Sequence, residues 1–180
     1  IRKPFPMLCR TLWREPERYY RSYYSQVKGC YFTSDLALID DDEHIWVVGR
    51  SDDSFNVAGH RLSTMEMESA ALEVPGIAEV AVIGVPDKIK GQVPYVFVRM
   101  SDGSYDKKEI PERVCAKIVE HIGKIAMPKK VLVVDELPKT VSGKIMRRLL
   151  KEIVTTGEVN GDITGLENPG AVERLKNLVS

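Results

Sequence analysis

Net charge is the first thing this sequence lacks: 26 Lys and Arg side chains cancel 26 Asp and Glu across 180 residues. Without an overall field, nothing draws the chain to nucleic acid or to an anionic membrane surface, and any anion it binds has to be held by local geometry. Long hydrophobic runs are missing too. None approaches the roughly 20 apolar residues that cross a bilayer, and the N-terminus has the wrong order of charged and apolar residues for a signal peptide. Cys9, Cys30 and Cys115 are odd in number and far apart, which argues against a metal knuckle and against a secreted disulfide scaffold; a reducing, cytoplasmic compartment is the expectation. His44, His60 and His121 lack metal-ligand spacing, and no Ser/His/Asp or Cys/His arrangement stands out. An initiator methionine is also absent. The chain opens on Ile1 inside the stretch Lys3-Pro4-Phe5-Pro6, which predicts a piece of something longer.

What is present suits one ordinary domain, or a small domain with part of another. Residues 1–34 scatter aromatics without a period (Trp13, Tyr19, Tyr20, Tyr23, Tyr24, Tyr31, Phe32) and cannot build a core alone; Pro16 to Tyr24 is a candidate short helix. Leu36–Ile39, the acidic run Asp40-Asp41-Asp42-Glu43 and His44–Gly49 read as strand, polar turn, strand, the acidic run being either a solvated hairpin tip or a metal site. Composition then breaks at Gly49-Arg50-Ser51-Asp52-Asp53, a small and charged stretch that marks a domain boundary.

Beyond the break, Ser63 with Glu66 forms a capping-box signature, and Met67, Ala70, Ala71 and Val74 share one face of the helix it opens. Val80–Val85 and Tyr95–Val98 read as buried strands, with a charged turn from Asp87 to Gln92 between them. A helix is predicted from about Ile110 to Gly123, with Pro111 in its first turn, and a third strand from Lys129 to Val134. The helix after Ser142-Gly143 carries Met146, Leu149, Leu150 and Ile153 on one side and Arg147, Arg148 and Lys151 on the other; a short terminal helix is possible near Ala171 to Leu178. This order describes a small α+β domain, a short sheet flanked by helices.

Three constellations carry chemistry. Lys144 comes after Pro138-Lys139-Thr140-Val141-Ser142-Gly143 and is expected at the start of the last amphipathic helix, where the helix dipole disfavours a cation unless an anion is brought to it. It is either a solvated surface lysine or half of an anion site. A Walker phosphate loop is excluded, because Pro138 takes the place of its first glycine and Ile145 that of its hydroxyl. In Asn56-Val57-Ala58-Gly59-His60-Arg61, Gly59 permits close backbone approach and Arg61 offers a planar fork to a phosphate; a plain turn beside a helix explains the same residues. Asp35 and Arg50 bracket the predicted strand pair, as a ribose-binding carboxylate with its arginine or as a structural ion pair.

The wording and order of Tyr31-Phe32-Thr33-Ser34-Asp35, Gly49-Arg50-Ser51-Asp52-Asp53, Asn56-Val57-Ala58-Gly59-His60-Arg61-Leu62 and Leu137-Pro138-Lys139-Thr140-Val141-Ser142-Gly143-Lys144 resemble the acyl-adenylating enzyme superfamily, the Gly-His-Arg-Leu wording its acetyl-CoA synthetase branch. The resemblance implies the tail end of a large N-terminal adenylation domain (residues 1–50), a hinge (51–53), a C-terminal lid domain (54–156) and a C-terminal tail (157–180). It also implies an AMP-forming acid–thiol ligase. Such an enzyme joins a small carboxylic acid to CoA at the expense of ATP, with magnesium in the complete enzyme; no magnesium ligand is identified here.

Carried over residue by residue, Asp35, Arg50 and Arg61 would bind nucleotide, Asp52 would be the hinge, Gly59 and Ala58 would line the CoA thiol's path, and Lys144 would act in adenylation. The implied partners are the chain's own N-terminal domain and a lysine acetyltransferase or deacetylase acting on Lys144. Since the phosphate loop and acyl pocket of the superfamily lie upstream of these motifs, the chain alone is expected to be inactive. The alternative is a non-catalytic nucleotide- or CoA-binding module with the same lid fold. Four positions depart from the pattern: Ser34 replaces a usual glycine, Val141 a frequent arginine, Ala58 a common serine, and Val119 stands where an arginine can hold CoA phosphate, with Lys117 as a possible substitute.

Overall fold

The computed structural model describes residues 1–3, 5–51, 53–101, 106–160 and 163–179. They fall into two compact units, Ile1–Asp52 and Asp53–Ser180.

The first unit holds a short helix, α1 (Pro16–Tyr23), and an antiparallel ribbon of β1 (Asp35–Ile39) and β2 (Ile45–Arg50). Its aromatics make a local stack, with the Tyr23 and Tyr31 rings 4.8 Å apart and nearly parallel. No core forms around them: among the described residues of this unit only Gly49 is fully buried. The ribbon leaves Leu38, Ile39, Ile45, Trp46 and Val47 exposed. The acidic run is a hairpin tip organised by Asp40. Its carboxylate accepts from the Asp42 and His44 backbone N–H groups at 3.1 and 2.8 Å and from the Trp46 indole at 2.8 Å. The Trp46 and His44 donors hold the Asp40 carboxyl below its ordinary value.

The second unit is built on a sheet in the order β4-β3-β6-β5, with β7 also paired to β6. The strands are β3 (Phe55–Val57), β4 (His60–Leu62), β5 (Ile77–Asp87), β6 (Gly91–Met100) and β7 (Lys130–Val134). The central pair β5–β6 is antiparallel along nearly its full length, and β7 runs parallel to β6. The Val80–Val85 run is apolar without alternation because both faces of the sheet are covered. On one face Val80, Val82, Val96 and Val98 pack with α2 (Thr64–Leu72) and α3 (Ile110–Ile122). On the other, Ala81, Ile83, Val85 and Phe97 pack with α4 (Arg147–Thr156) and α5 (Pro169–Val179). Each fully buried aliphatic side chain contributes about 1.5–3 kcal/mol relative to exposure. Gly84 is required by contact: a Cβ there would lie 2.6 Å from the Phe55 side chain.

Helix ends obey the sequence signals. The Ser63 hydroxyl accepts from the Glu66 N–H at the start of α2, and Pro111 occupies the first turn of α3. Arg147, on the polar side of α4, is not left to solvent: its guanidinium forks onto the Glu68 carboxylate at 2.7 to 3.0 Å. The same carboxylate accepts from the Val82 N–H at 2.8 Å on β5, whose other neighbour is β6. A glutamate and an arginine thus close the outer edge of the sheet. Burial opposes the charge on Arg147, but Glu68 outweighs it and raises the guanidinium's pKa.

Candidate functional site

Lys144 is three residues short of α4, not at its first turn. It closes a tight hairpin whose legs meet at the bridge between Lys139 and Ile145. Within the tip, Thr140 donates its N–H to the Lys144 carbonyl at 2.9 Å, the Lys144 N–H reaches the Thr140 hydroxyl at 3.1 Å, and Gly143 N–H returns to the Thr140 carbonyl at 2.8 Å. Lys144 itself is exposed, and its ammonium has no acceptor among the described residues. The expected conflict with the helix dipole therefore does not arise. A cation is held on a short, internally bonded finger, free to meet an anion.

Both roots of the finger are fixed. On one side Lys139 reaches Glu79 at 2.7 Å, and Glu79 also accepts from Arg99 at 2.9 Å. Burial alone would raise the Glu79 pKa, yet the Lys139 and Arg99 cations hold it below its ordinary value. On the other side Met146 N–H donates to the Pro138 carbonyl at 2.8 Å, and α4 begins at Arg147, already bound to Glu68.

The Gly59 motif is a β-hairpin, β3–β4, where the residue pattern alone suggests a bare turn. Val57 pairs with His60, and Ala58 and Gly59 make the two-residue tip with φ of 47° and 86°. Two positive φ values are the requirement of a type I′ turn, usually met by Asn-Gly or Asp-Gly. Ala58 stands in place of that signal and hides the hairpin. The tip rests against the β5–β6 turn through Ala58 N–H to the Lys90 carbonyl at 2.8 Å. Around Gly59 a Cβ would meet nothing within 4 Å, so the tip presents bare backbone to open space. Arg61 is exposed on β4, with its Nε 2.8 Å from the Ser54 hydroxyl.

Asp35 and Arg50 are direct cross-strand partners at the open end of the β1–β2 ribbon, 3.8 Å apart and both about half exposed. The loop leading to Asp35 shows what one departure from the resembled pattern costs: Ser34 has φ of 65°, the left-handed region where glycine is unstrained and a residue with a Cβ is not. The Ser34 carbonyl accepts from Ser51 N–H at 2.7 Å, tying the two ends of the ribbon together. Asp52, the expected hinge residue, lies outside the described residues. Lys117, the possible substitute for a CoA phosphate arginine, is engaged by Glu120 at 3.0 Å and Glu73 at 3.6 Å. Among the described residues no three His, Cys, Asp or Glu side chains converge as a metal centre.

The structure thus brings Asp35 to Arg50 within the first unit and seats Ala58, Gly59, Arg61 and Lys144 on separate hairpins of the second. The residues that sequence reasoning misses are the supports, Glu68, Glu79 and Asn168. Asn168 accepts from the Lys139 N–H at 3.0 Å and donates to the Leu137 carbonyl at 2.9 Å.

Comparison with known proteins finds relatives along nearly the whole chain. The chain is 47% identical over 176 residues, 98% of its length, to the acetyl-coenzyme A synthetase of Pyrobaculum arsenaticum. It is 44% identical over 98% of its length to that of Chlorobaculum tepidum. It spans about a quarter of these relatives' length, 26% and 27%. Among solved structures, the ATP-bound MatB of Rhodopseudomonas palustris superposes with a TM-score of 0.70 at 29% identity, covering 82% of this chain and 28% of that one. The amide bond synthetase McbA of Marinactinospora thermotolerans gives 0.71 at 28% identity, covering 83% and 29%. Residues 66–144 match the AMP-binding enzyme C-terminal domain family, from the first turn of α2 to the lysine at the tip of the finger. Residues 66–144 thus belong to the AMP-binding enzyme C-terminal domain family, and the chain has an α+β, lid-type fold with acetyl-coenzyme A synthetases among its relatives.

Proposed function

We propose that this chain is the C-terminal part of an AMP-forming acyl-CoA synthetase, in which the second unit is the lid that serves two half-reactions in turn. The observation that carries the reading is Lys144, an exposed, unpaired cation on a braced finger within the family's domain. In the first half-reaction a carboxylate oxygen attacks the α-phosphorus of ATP and pyrophosphate leaves. Two anions are forced together there, and the Lys144 ammonium can bridge them in a site closed to water. In the second, the CoA thiol attacks the acyl carbonyl and AMP leaves. Gly59 then faces the thiol's path, where its bare backbone keeps the way open.

Asp35 is suited to accept from two ribose hydroxyls, with Arg50 beside it as the compensating charge. Arg61 offers its fork to phosphate, and residues 51–53, with Asp52 at their centre, are the hinge. Magnesium would neutralise ATP phosphates in the complete enzyme. The ribbon's exposed Leu38, Ile39, Ile45 and Trp46 fit a segment that docks on a larger adenylation domain, without which the chain is inactive. Lys144 is also open to acetylation, which would remove its charge and stop adenylation.

The test is a pair of variants in the complete enzyme. Lys144→Ala should abolish acyl-adenylate formation and spare thioester formation from supplied acyl-adenylate. Gly59→Leu should do the reverse; its φ of 86° adds about 1–2 kcal/mol of strain, so a melting curve accompanies it. Loss of both steps in both folded variants would overturn the assignment of two states.

A further inference from the structure

The segment after the family-matched domain is tied into the finger that carries Lys144. Thr140 forms a β-bridge with Leu166, Val141 N–H donates to the Gly165 carbonyl at 3.2 Å, and Glu167 N–H donates to the Lys139 carbonyl at 2.9 Å. Residues 165–167 therefore pair with the leg 139–141 through one isolated bridge and two flanking backbone hydrogen bonds. Asn168 completes the junction with its side chain. It takes the Lys139 N–H at 3.0 Å and gives to the Leu137 carbonyl at 2.9 Å, engaging two backbone groups of the same leg as a neighbouring strand would. The carboxylate of Glu136 lies 3.4 Å from the same amide and is itself held by Arg174 of α5 at 2.6 Å. Behind the leg, Lys139 ends on Glu79, whose second oxygen is buried with no partner among the described residues.

We propose that Asn168 is a positioning residue for Lys144, and that the segment 165–168 is a clamp that aims the finger rather than a passive tail. The inference rests on the reading of Lys144 as the adenylation lysine. Its physical basis is lever geometry. Lys144 is bonded directly across the hairpin from Thr140, so a small shift of the leg Leu137–Thr140 is carried through its backbone to the ammonium at the end of its side chain. A displacement of about 1 Å from a productive position can cost on the order of a hundredfold in rate. Stability does not depend on Asn168 in the same measure, since the core on that face is made by Leu149, Leu150, Ile153 and Leu175. Thioester formation does not use Lys144, so it should be insensitive to the clamp.

In the complete synthetase, Asn168→Ala should lower acid-dependent pyrophosphate–ATP exchange by about tenfold or more through kcat. Thioester formation from supplied acyl-adenylate should stay within about twofold. Asn168→Asp, which keeps the acceptor for the Lys139 N–H, should recover part of the exchange. Glu79→Gln, which weakens the hold on Lys139 from the other side, should reproduce the selective loss to a smaller degree. Equal loss of both half-reactions in folded variants, or exchange at the wild-type rate in Asn168→Ala, would overturn the proposal. Lys144→Ala in parallel separates the two levels: if it retains exchange, the reading of Lys144 fails and the clamp has no function to serve; if it loses exchange while Asn168→Ala does not, the clamp alone fails.

Discussion

The two units of this chain use similar sequence materials in opposite ways. Both contain a two-stranded antiparallel piece with apolar residues, but β1–β2 leaves Trp46 61% and Leu38 63% exposed, while Val82 and Val96 on β5–β6 are fully buried. The difference lies in the helices available to cover each pair. No described helix of the first unit packs on the ribbon, whereas β5–β6 is covered on both faces by α2, α3, α4 and α5. Apolar pattern alone therefore makes a strand; a stable unit needs the elements that cover it.

The sharpest way to break the comparison is to remove one large apolar side chain from each unit. Leu150→Ala should destabilise the second unit by about 3 kcal/mol, while Trp46→Ser should change its urea midpoint by no more than about 0.5 kcal/mol equivalent. Equal effects would mean that the first unit contributes to a common core. Ion pairs give the next contrast. Arg147 and Glu68 retain 29% and 13% side-chain exposure, and Glu68→Ala should cost about 2 kcal/mol, less than a fully buried pair because water still reaches both groups. The exposed Arg18–Glu15 pair of α1 should contribute less than about 0.5 kcal/mol, as Glu15→Ala would reveal in the same assay.

Acid should act through Asp87. Its carboxylate accepts from the Lys90 and Ile89 N–H groups and from Lys129, and these donors lower its pKa to about 2. A carboxyl depressed in the folded state lends stability that is complete above its unfolded value and lost as pH falls through the folded one. The wild type and Asp87→Asn should thus differ at pH 5 and converge toward pH 2, as monitored by urea unfolding. A constant difference across that range would sink the assignment. A small gain is expected at Ala58, where φ of 47° strains a residue with a Cβ. Ala58→Asn should gain about 0.5 kcal/mol, because asparagine tolerates the left-handed region.

These contrasts also mark how far the sequence can be read. The β5–β6 pair, α2, α3 and α4 are legible because their apolar spacing matches the period of the element, and capping residues such as Ser63 and Pro111 mark where α2 and α3 begin. The β3–β4 hairpin is not, since its tip reads Ala-Gly and each strand is three residues long. The placement of Lys144 fails for a related reason: flexible residues before an amphipathic run suggest a helix start, but Ile145 and Met146 are taken up by the bridge to Lys139 and the bond to Pro138 before α4 begins. The braces escape altogether. Glu68 and Arg147 are 79 positions apart and Glu79 and Lys139 are 60 apart, pairings that only the folded sheet brings together. The likeness of the motifs to acyl-adenylating enzymes is what singles out Lys144, Gly59 and Asp35 as proposed site residues, without needing their geometry.

The most direct test is acid-dependent exchange of pyrophosphate into ATP, measured on this chain alone, on the chain joined to its upstream sequence, and on the joined form carrying Lys144→Ala. Exchange in the joined form alone, lost in the variant, is the predicted result. No exchange from the joined form with any short carboxylic acid, or full exchange in the variant, would contradict the assignment of this chain as the lid of an adenylating synthetase.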